Sequence, residues 1–291
     1  MNCSHDISFS LVNDMMSLAC IVYNCNKELI LKKEQNNFSI NTLNIDDLKI
    51  SIVRKNILRD YFNAQDMKNN NYYINKFFDI NGVQIAIVLN HQDKIINLVF
   101  RGSDELSDWL FNFHIFKKQI SNNIKIKNIK VHSGFYKLLF KNNLYTDIQN
   151  EIINLKKQYT NYTLNITGHS LGGALATLFG YFLSYSISDK IYIFSFASPR
   201  VGNRNWANIF NKKENLLHYR FVNQKDIITA IPYFYYYHCG NYININKKNS
   251  IDYINKEDYK DINSIKNYHS IKDHGIERYY VNFNLCYNIK I

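Results

Sequence analysis

The stretch from Thr163 to Leu183 reads TLNITGHSLGGALATLFGYFL. Thr163 to Thr167 are β-prone, whereas Leu171 to Leu183 are apolar and rich in small residues, so a strand gives way to a buried helix. Between them lies Gly168-His169-Ser170-Leu171-Gly172, a G-x-S-x-G turn. A turn this tight needs glycine two positions either side of the serine, because side chains there collide with the neighbouring strand and helix. Ser170 is then presented at the C-terminal end of its strand. There the helix N-terminus offers a positive dipole and unpaired N–H groups to a developing oxyanion. Such geometry suits acyl transfer. The motif alone also fits a glycine-rich turn whose serine merely caps the helix. Yet the chain has only 10 glycines, three of them in GHSLGGALA, with strand and helix on the sides the motif requires.

Working outward, IYIFSFASP (Ile191 to Pro199) reads as another strand, and strand, helix, strand in that order describes a right-handed parallel crossover. Upstream, Val83 to Leu89 and Ile95 to Phe100 flank the polar NHQDK and predict two strands joined by a turn. A short strand is expected around Ile124 to Val131. One helix is expected within Phe135 to Tyr159, with Ile148, Ile152, Leu155 and Tyr159 on one face. Leu217 to Val222, LHYRFV, is a further strand. In the N-terminal part, helical spacing runs from Leu11 to Tyr23 and again from Asp46 to Phe62, while KNNNYYINK (Lys68 to Lys76) reads as an exposed connection. No linker or repeat divides the chain. The expectation is one domain over residues 1–291, with an N-terminal helical part and connection to residue 75 and a catalytic core over 76–291.

Hydrophobic residues make up 46% of the 291 and charged residues 20%, a globular composition, and no apolar stretch approaches the roughly 20 residues of a membrane span. The net charge of +11 comes from lysines scattered among Asn, Ile and Tyr. No stripe combines arginine with stacking aromatics, so nucleic acid is not expected as a partner, and an anionic membrane surface is the better candidate. Five cysteines, none spaced with histidine as zinc ligands, indicate neither a disulfide framework nor a metal site. The N-terminus lacks a basic region and Asp14 interrupts its apolar part, which argues against a cleavable signal peptide and toward an intracellular or virion location.

The block GHSLGGALA, with FRGSDELSDWL and VHSGFY before it and SFASPRVGN, FVNQKDIITAIP and HGIERYY after it across Phe100 to Tyr280, resembles the class 3 lipases. The two prolines of the chain, Pro199 and Pro232, both fall inside these blocks. Residues 1 to 75 carry only a vague likeness. The resemblance implies an α/β-hydrolase fold, a mostly parallel central sheet flanked by helices, and serine ester hydrolysis of lipids through an acyl-enzyme. Neither chemical step needs a metal or organic cofactor.

In such hydrolases the triad follows the order serine, acid, histidine. The block FVNQKDIITAIP puts Asp226 in second place, after the strand LHYRFV, although an Asp there also fits a surface turn. His238, His269 and His274 lie beyond it, and spacing does not choose among them. The family pattern His-x-apolar-x-x-Tyr favours His274, with His269 as the alternative base and His238 as structural. His169 and His132 are expected to pack or order loops. Leu171 should give one oxyanion N–H as the residue after the nucleophile. By resemblance, FRGS gives the second through Ser103, which also suits a helix N-cap. Leu106, Trp109, Leu110 and Phe113 form an apolar helical stripe that matches either a core helix or, at the family's lid position, a lid. The expected substrate is a lipid or small ester, met at a peripheral membrane or lipid-droplet surface, with no obligate protein partner. A phospholipase, a monoacylglycerol hydrolase or a soluble esterase would share these residues, and a non-catalytic binding protein could keep the fold.

Overall fold

The structure, a computed structural model, describes residues 8–24, 38–39, 55, 72–80, 82–103, 116–120, 128–246, 250–256 and 268–288. The expected strand pair forms as β3 (Val83–Asn90) and β4 (Ile95–Phe100), antiparallel and with no register shift. β1 (Phe38–Ser39) and β2 (Tyr72–Ile80) extend the sheet beyond β3, again antiparallel. On the other side of β4, β7 (Thr163–His169), β8 (Ile191–Phe196), β9 (Leu216–Asn223) and β10 (Asn241–Ile245) join in parallel, and β11 (Ile251–Ile254) closes the edge antiparallel. The order β1-β2-β3-β4-β7-β8-β9-β10-β11 is an α/β-hydrolase sheet, parallel through its centre. A separate pair, β5 (Lys117–Gln119) and β6 (Lys130–His132), lies outside it.

Helices cover both faces. α1 (Phe9–Ile21), capped by the Ser8 hydroxyl accepting from the Leu11 N–H at 3.1 Å, packs with α6 (Ile276–Asn288) on one face. On the other face lie α2 (Ser133–Phe140), α3 (Leu144–Gln158), α4 (Leu171–Leu183) and α5 (Arg204–Asn211). α4 is apolar on almost every side because it is buried on almost every side.

Three expectations change. The connection over Lys68 to Lys76 is strand from Tyr72 onward: Tyr72 and Ile74 alternate into the core while the residues between face outward, and the ladder with β3 satisfies their backbone. The single helix over Phe135 to Tyr159 is two. Asn142 and Asn143 take left-handed φ values of 51° and 61°, which asparagine tolerates better than most residues, and the chain turns there. The strand around Ile124 to Val131 begins only at Lys130, and residues 121–127 lie outside the described residues. The helix over Asp46 to Phe62 and the stripe Leu106, Trp109, Leu110 and Phe113 also lie outside them, Lys55 excepted.

Candidate active site

The parallel strands deliver their C-terminal ends to one edge of the sheet. β7 ends in the elbow, β4 runs into Arg101, Gly102 and Ser103, and β9 ends three residues before Asp226. The elbow is as tight as its glycines imply. A Cβ on Gly168 would lie 2.5 Å from the Gly172 carbonyl carbon, and one on Gly172 would collide with the Phe100 carbonyl oxygen. Ser170 itself holds φ 56°, ψ −122°, a strained conformation for a residue with a side chain, fixed by its N–H donating to the Phe196 carbonyl at 2.9 Å.

This geometry decides between the two readings of the serine. Ser170 precedes α4, yet its hydroxyl makes no capping bond to that helix. It lies instead 2.9 Å from His274 Nε2. The opposite ring nitrogen, Nδ1, is 3.1 and 3.0 Å from the two carboxylate oxygens of Asp226. A carboxylate accepts, so Nδ1 carries the proton, and Nε2 is left to accept from the serine hydroxyl. Ser170, Asp226 and His274 are 2%, 0% and 4% exposed. Asp226 also accepts from the Ile228 N–H at 3.0 Å and from the Tyr279 hydroxyl at 2.7 Å. Burial first, and then the charge of Asp226, push the Tyr279 phenol well above its ordinary range, so it stays a donor.

His169 reaches further than a packing residue. Its Nε2 lies 2.7 Å from the carbonyl oxygen of His274 and must donate to it, so Nδ1 accepts from the Tyr23 hydroxyl at 2.9 Å. Tyr23, from the end of the N-terminal helical segment, also fills the space above Gly102, where a Cβ would clash with its hydroxyl, and the Arg101 guanidinium sits 5.5 Å from its ring centroid. One phenol therefore touches the segment that carries Ser103, the elbow histidine and, through it, the backbone of His274.

The other histidines have structural partners. His132 Nδ1 accepts from the Gly134 and Phe135 N–H groups and caps α2, His238 Nε2 donates to the Thr229 carbonyl at 2.6 Å, and His269 lies 3.3 Å from the Lys225 ammonium. Leu171 opens α4, so its N–H is among those the helix leaves unpaired. Sequence reasoning passed over Tyr279 as a mere landmark of HGIERYY. It missed Tyr23 altogether, since a lone tyrosine closing an amphipathic segment carries no local signal.

A family model described as Lipase (class 3) matches residues 97–236. A lipase of Rhizomucor miehei is 27% identical over 237 residues, covering 77% of this chain and 61% of its own length. A chloroplastic phospholipase A(1) of Arabidopsis thaliana is 32% identical over 157 residues, 50% of this chain and 34% of its own. The chain thus spans less than two thirds of either relative. A solved structure of Rhizomucor miehei triacylglyceride lipase superposes with a TM-score of 0.67 at 21% identity, over 97% of this chain and 99% of that one. The chain carries the class 3 lipase signature over residues 97–236, and the solved lipase structure shares its fold over nearly its whole length.

Proposed function

We propose that the protein is a serine carboxylic-ester hydrolase acting on lipid esters, with Ser170 as nucleophile, His274 as base and Asp226 as the acid that orients it. The observation that carries this reading is the unbroken run from the Ser170 hydroxyl through His274 to Asp226 at the C-terminal edge of the sheet. His274 Nε2 takes the serine proton as the oxygen attacks the ester carbonyl, and the N–H groups of Leu171 and Ser103 receive the charge of the tetrahedral oxyanion. The same histidine returns the proton to the departing alcohol. It then activates water, which releases the acid from the acyl-enzyme. Asp226, held by three donors, keeps the imidazole in the tautomer that can accept from Ser170.

Triacylglycerol hydrolysis is the first reading. Phospholipid hydrolysis is the second, favoured by the likeness to the plant phospholipase A(1). Treatment with a fluorophosphonate and mass mapping tests the nucleophile: a single adduct on the Ser170 peptide is expected, and an intact Ser170 with the label elsewhere contradicts the assignment.

A further inference from the structure

Phe116, Phe234 and Tyr235 are 69%, 67% and 76% exposed, and they converge on one place. The Tyr236 hydroxyl donates to the Phe116 carbonyl at 3.2 Å, and the Lys117 ammonium sits 5.7 and 4.2 Å from the Tyr235 and Tyr236 ring centroids. Tyr233 packs edge-on against Phe234 with centroids 4.8 Å apart. Clustered exposed aromatics of this kind mark interaction surfaces more often than chance.

The loop that carries them is held at its base. The buried Arg200 guanidinium donates to the carbonyls of Ala230 and Pro232, the Arg200 N–H bonds the Ile231 carbonyl at 2.8 Å, and the Tyr237 N–H bonds the Gly202 carbonyl at 2.8 Å. Between those anchors the ring of Tyr236 turns inward while Phe234 and Tyr235 turn out. Tyr235 does so with φ 58°, a left-handed backbone that costs a bulky residue about 1–2 kcal/mol. The strained turn holds the ring out beside the Lys117 ammonium, open to whatever meets this face.

Cations surround the aromatics. Lys130, paired across from Gln119 on the neighbouring strand, projects on the same side as Lys117, and Arg204 lies 4.6 Å from the Tyr237 ring centroid. Partial burial, and then Lys130, hold the Lys117 ammonium below its usual range, a crowding that a nearby anion relieves. The described segments around this face, residues 116–120, 128–146, 190–213 and 227–246, contain no Asp or Glu.

We infer that Phe116, Phe234 and Tyr235, with Lys117 and Lys130, dock the protein on an anionic lipid–water interface. Aromatic rings settle at the headgroup level and lysines pair with the phosphates, while burying apolar area and neutralising charge add together. The loop leaves directly from the 3-10 turn that Asp226 caps, so a lipid surface seated here adjoins the catalytic edge. This inference rests on the lipid-ester reading and deepens it by naming the face that meets the lipid.

Vesicle sedimentation in a Ser170→Ala background separates docking from turnover. Tight association is expected with phosphatidylcholine vesicles containing about a third phosphatidylglycerol, and at least tenfold weaker association with phosphatidylcholine alone. Replacing Lys117 and Lys130 together by Gln should weaken the anionic case about 25-fold, roughly fivefold per lysine, and leave the neutral case unchanged. Phe234→Ala combined with Tyr235→Gly should weaken both about tenfold. Because glycine accepts the left-handed φ, Tyr235→Gly should keep the parent's thermal midpoint, and on its own it provides the second, safely folded variant. No association with either vesicle, equal association with both, or parent-like binding by the variants overturns the proposal. Hydrolysis of a dispersed ester by the unmutated chain is read separately, so either reading can fail without the other.

Discussion

Three donors converge on the buried Asp226 carboxylate, the His274 Nδ1–H, the Ile228 N–H and the Tyr279 hydroxyl. Charge-assisted hydrogen bonds of this kind replace the lost solvation, and Tyr279 is the one donor that a conservative substitution removes. Tyr279→Phe leaves the ring packed and frees one side of the carboxylate. The expected outcome is a kcat lower by about tenfold with KM unchanged, since the imidazole is less well oriented in the transition state than in the ground state. An equal change in thermal stability with kcat intact would make Tyr279 a packing residue only. At this scale Ser170 was legible, because the elbow's glycines state a steric need. His274 and Asp226 were legible only through the blocks around them, since a carboxylate and an imidazole 48 residues apart declare nothing by spacing. Tyr23 and Tyr279 were not, as a phenol that tunes another side chain follows no periodicity.

The element that ties the N-terminal part to the site is α1 with the short turn after it. Tyr23→Phe removes the bond to His169 and keeps the ring beneath Arg101 and beside Gly102. A three- to tenfold fall in kcat is expected, at a stability cost of about 1 kcal/mol, because the His274 carbonyl loses a fixed partner. Steady-state kinetics and a melting curve on the same preparation check it, and unchanged kinetics would contradict a positioning role. Further along the same helix, Asp14 is 6% exposed and accepts from the Tyr72 hydroxyl at 2.9 Å. Burial, chiefly, raises its carboxyl to about 7. The folded state therefore holds a proton that the unfolded chain gives up near 3.8, so this group's contribution is complete below that pH and is lost as pH rises through 7. Asp14→Asn keeps an acceptor for Tyr72 without the charge. Relative to the parent, it should gain about 2 kcal/mol more at pH 8 than at pH 5 in denaturant titrations. An equal gain at both pH values would show that Asp14 does not titrate there. None of this was visible in the sequence, where Asp14 reads as a break in an apolar run. The strand at Tyr72 was hidden by the asparagines before it, whereas the pair β3 and β4 and the helix α4 were clear from their periods.

Across the whole molecule, the sheet separates two cores and gathers the proposed catalytic groups at one edge, which is why motifs from residue 101 to residue 274 meet although no two share an element. The parallel order followed from the strand, helix, strand pattern, but the depth of burial did not. His218, on β9, bonds Ser195 at 2.8 Å, and burial first, then Arg220, push it down to about 3. The unfolded chain protonates this residue near 6.5, so its contribution is present above that pH and is lost as pH falls toward 3. His218→Gln should flatten the acid limb of the stability curve, and an unchanged limb would assign acid unfolding to other groups. The basic face was equally invisible in the sequence, where the lysines look scattered. Folding brings Lys117 and Lys130 from two strands together beside the aromatic loop at 231–237. The central claim remains the serine at the sheet's edge. It is tested most directly by the hydrolysis of short and long p-nitrophenyl esters, below and above micelle formation, by the parent and by Ser170→Ala side by side. Turnover by the parent is expected, with a loss of about 10⁴-fold or more in the variant and the fold unchanged. Equal turnover by both proteins, or none by either, would contradict it.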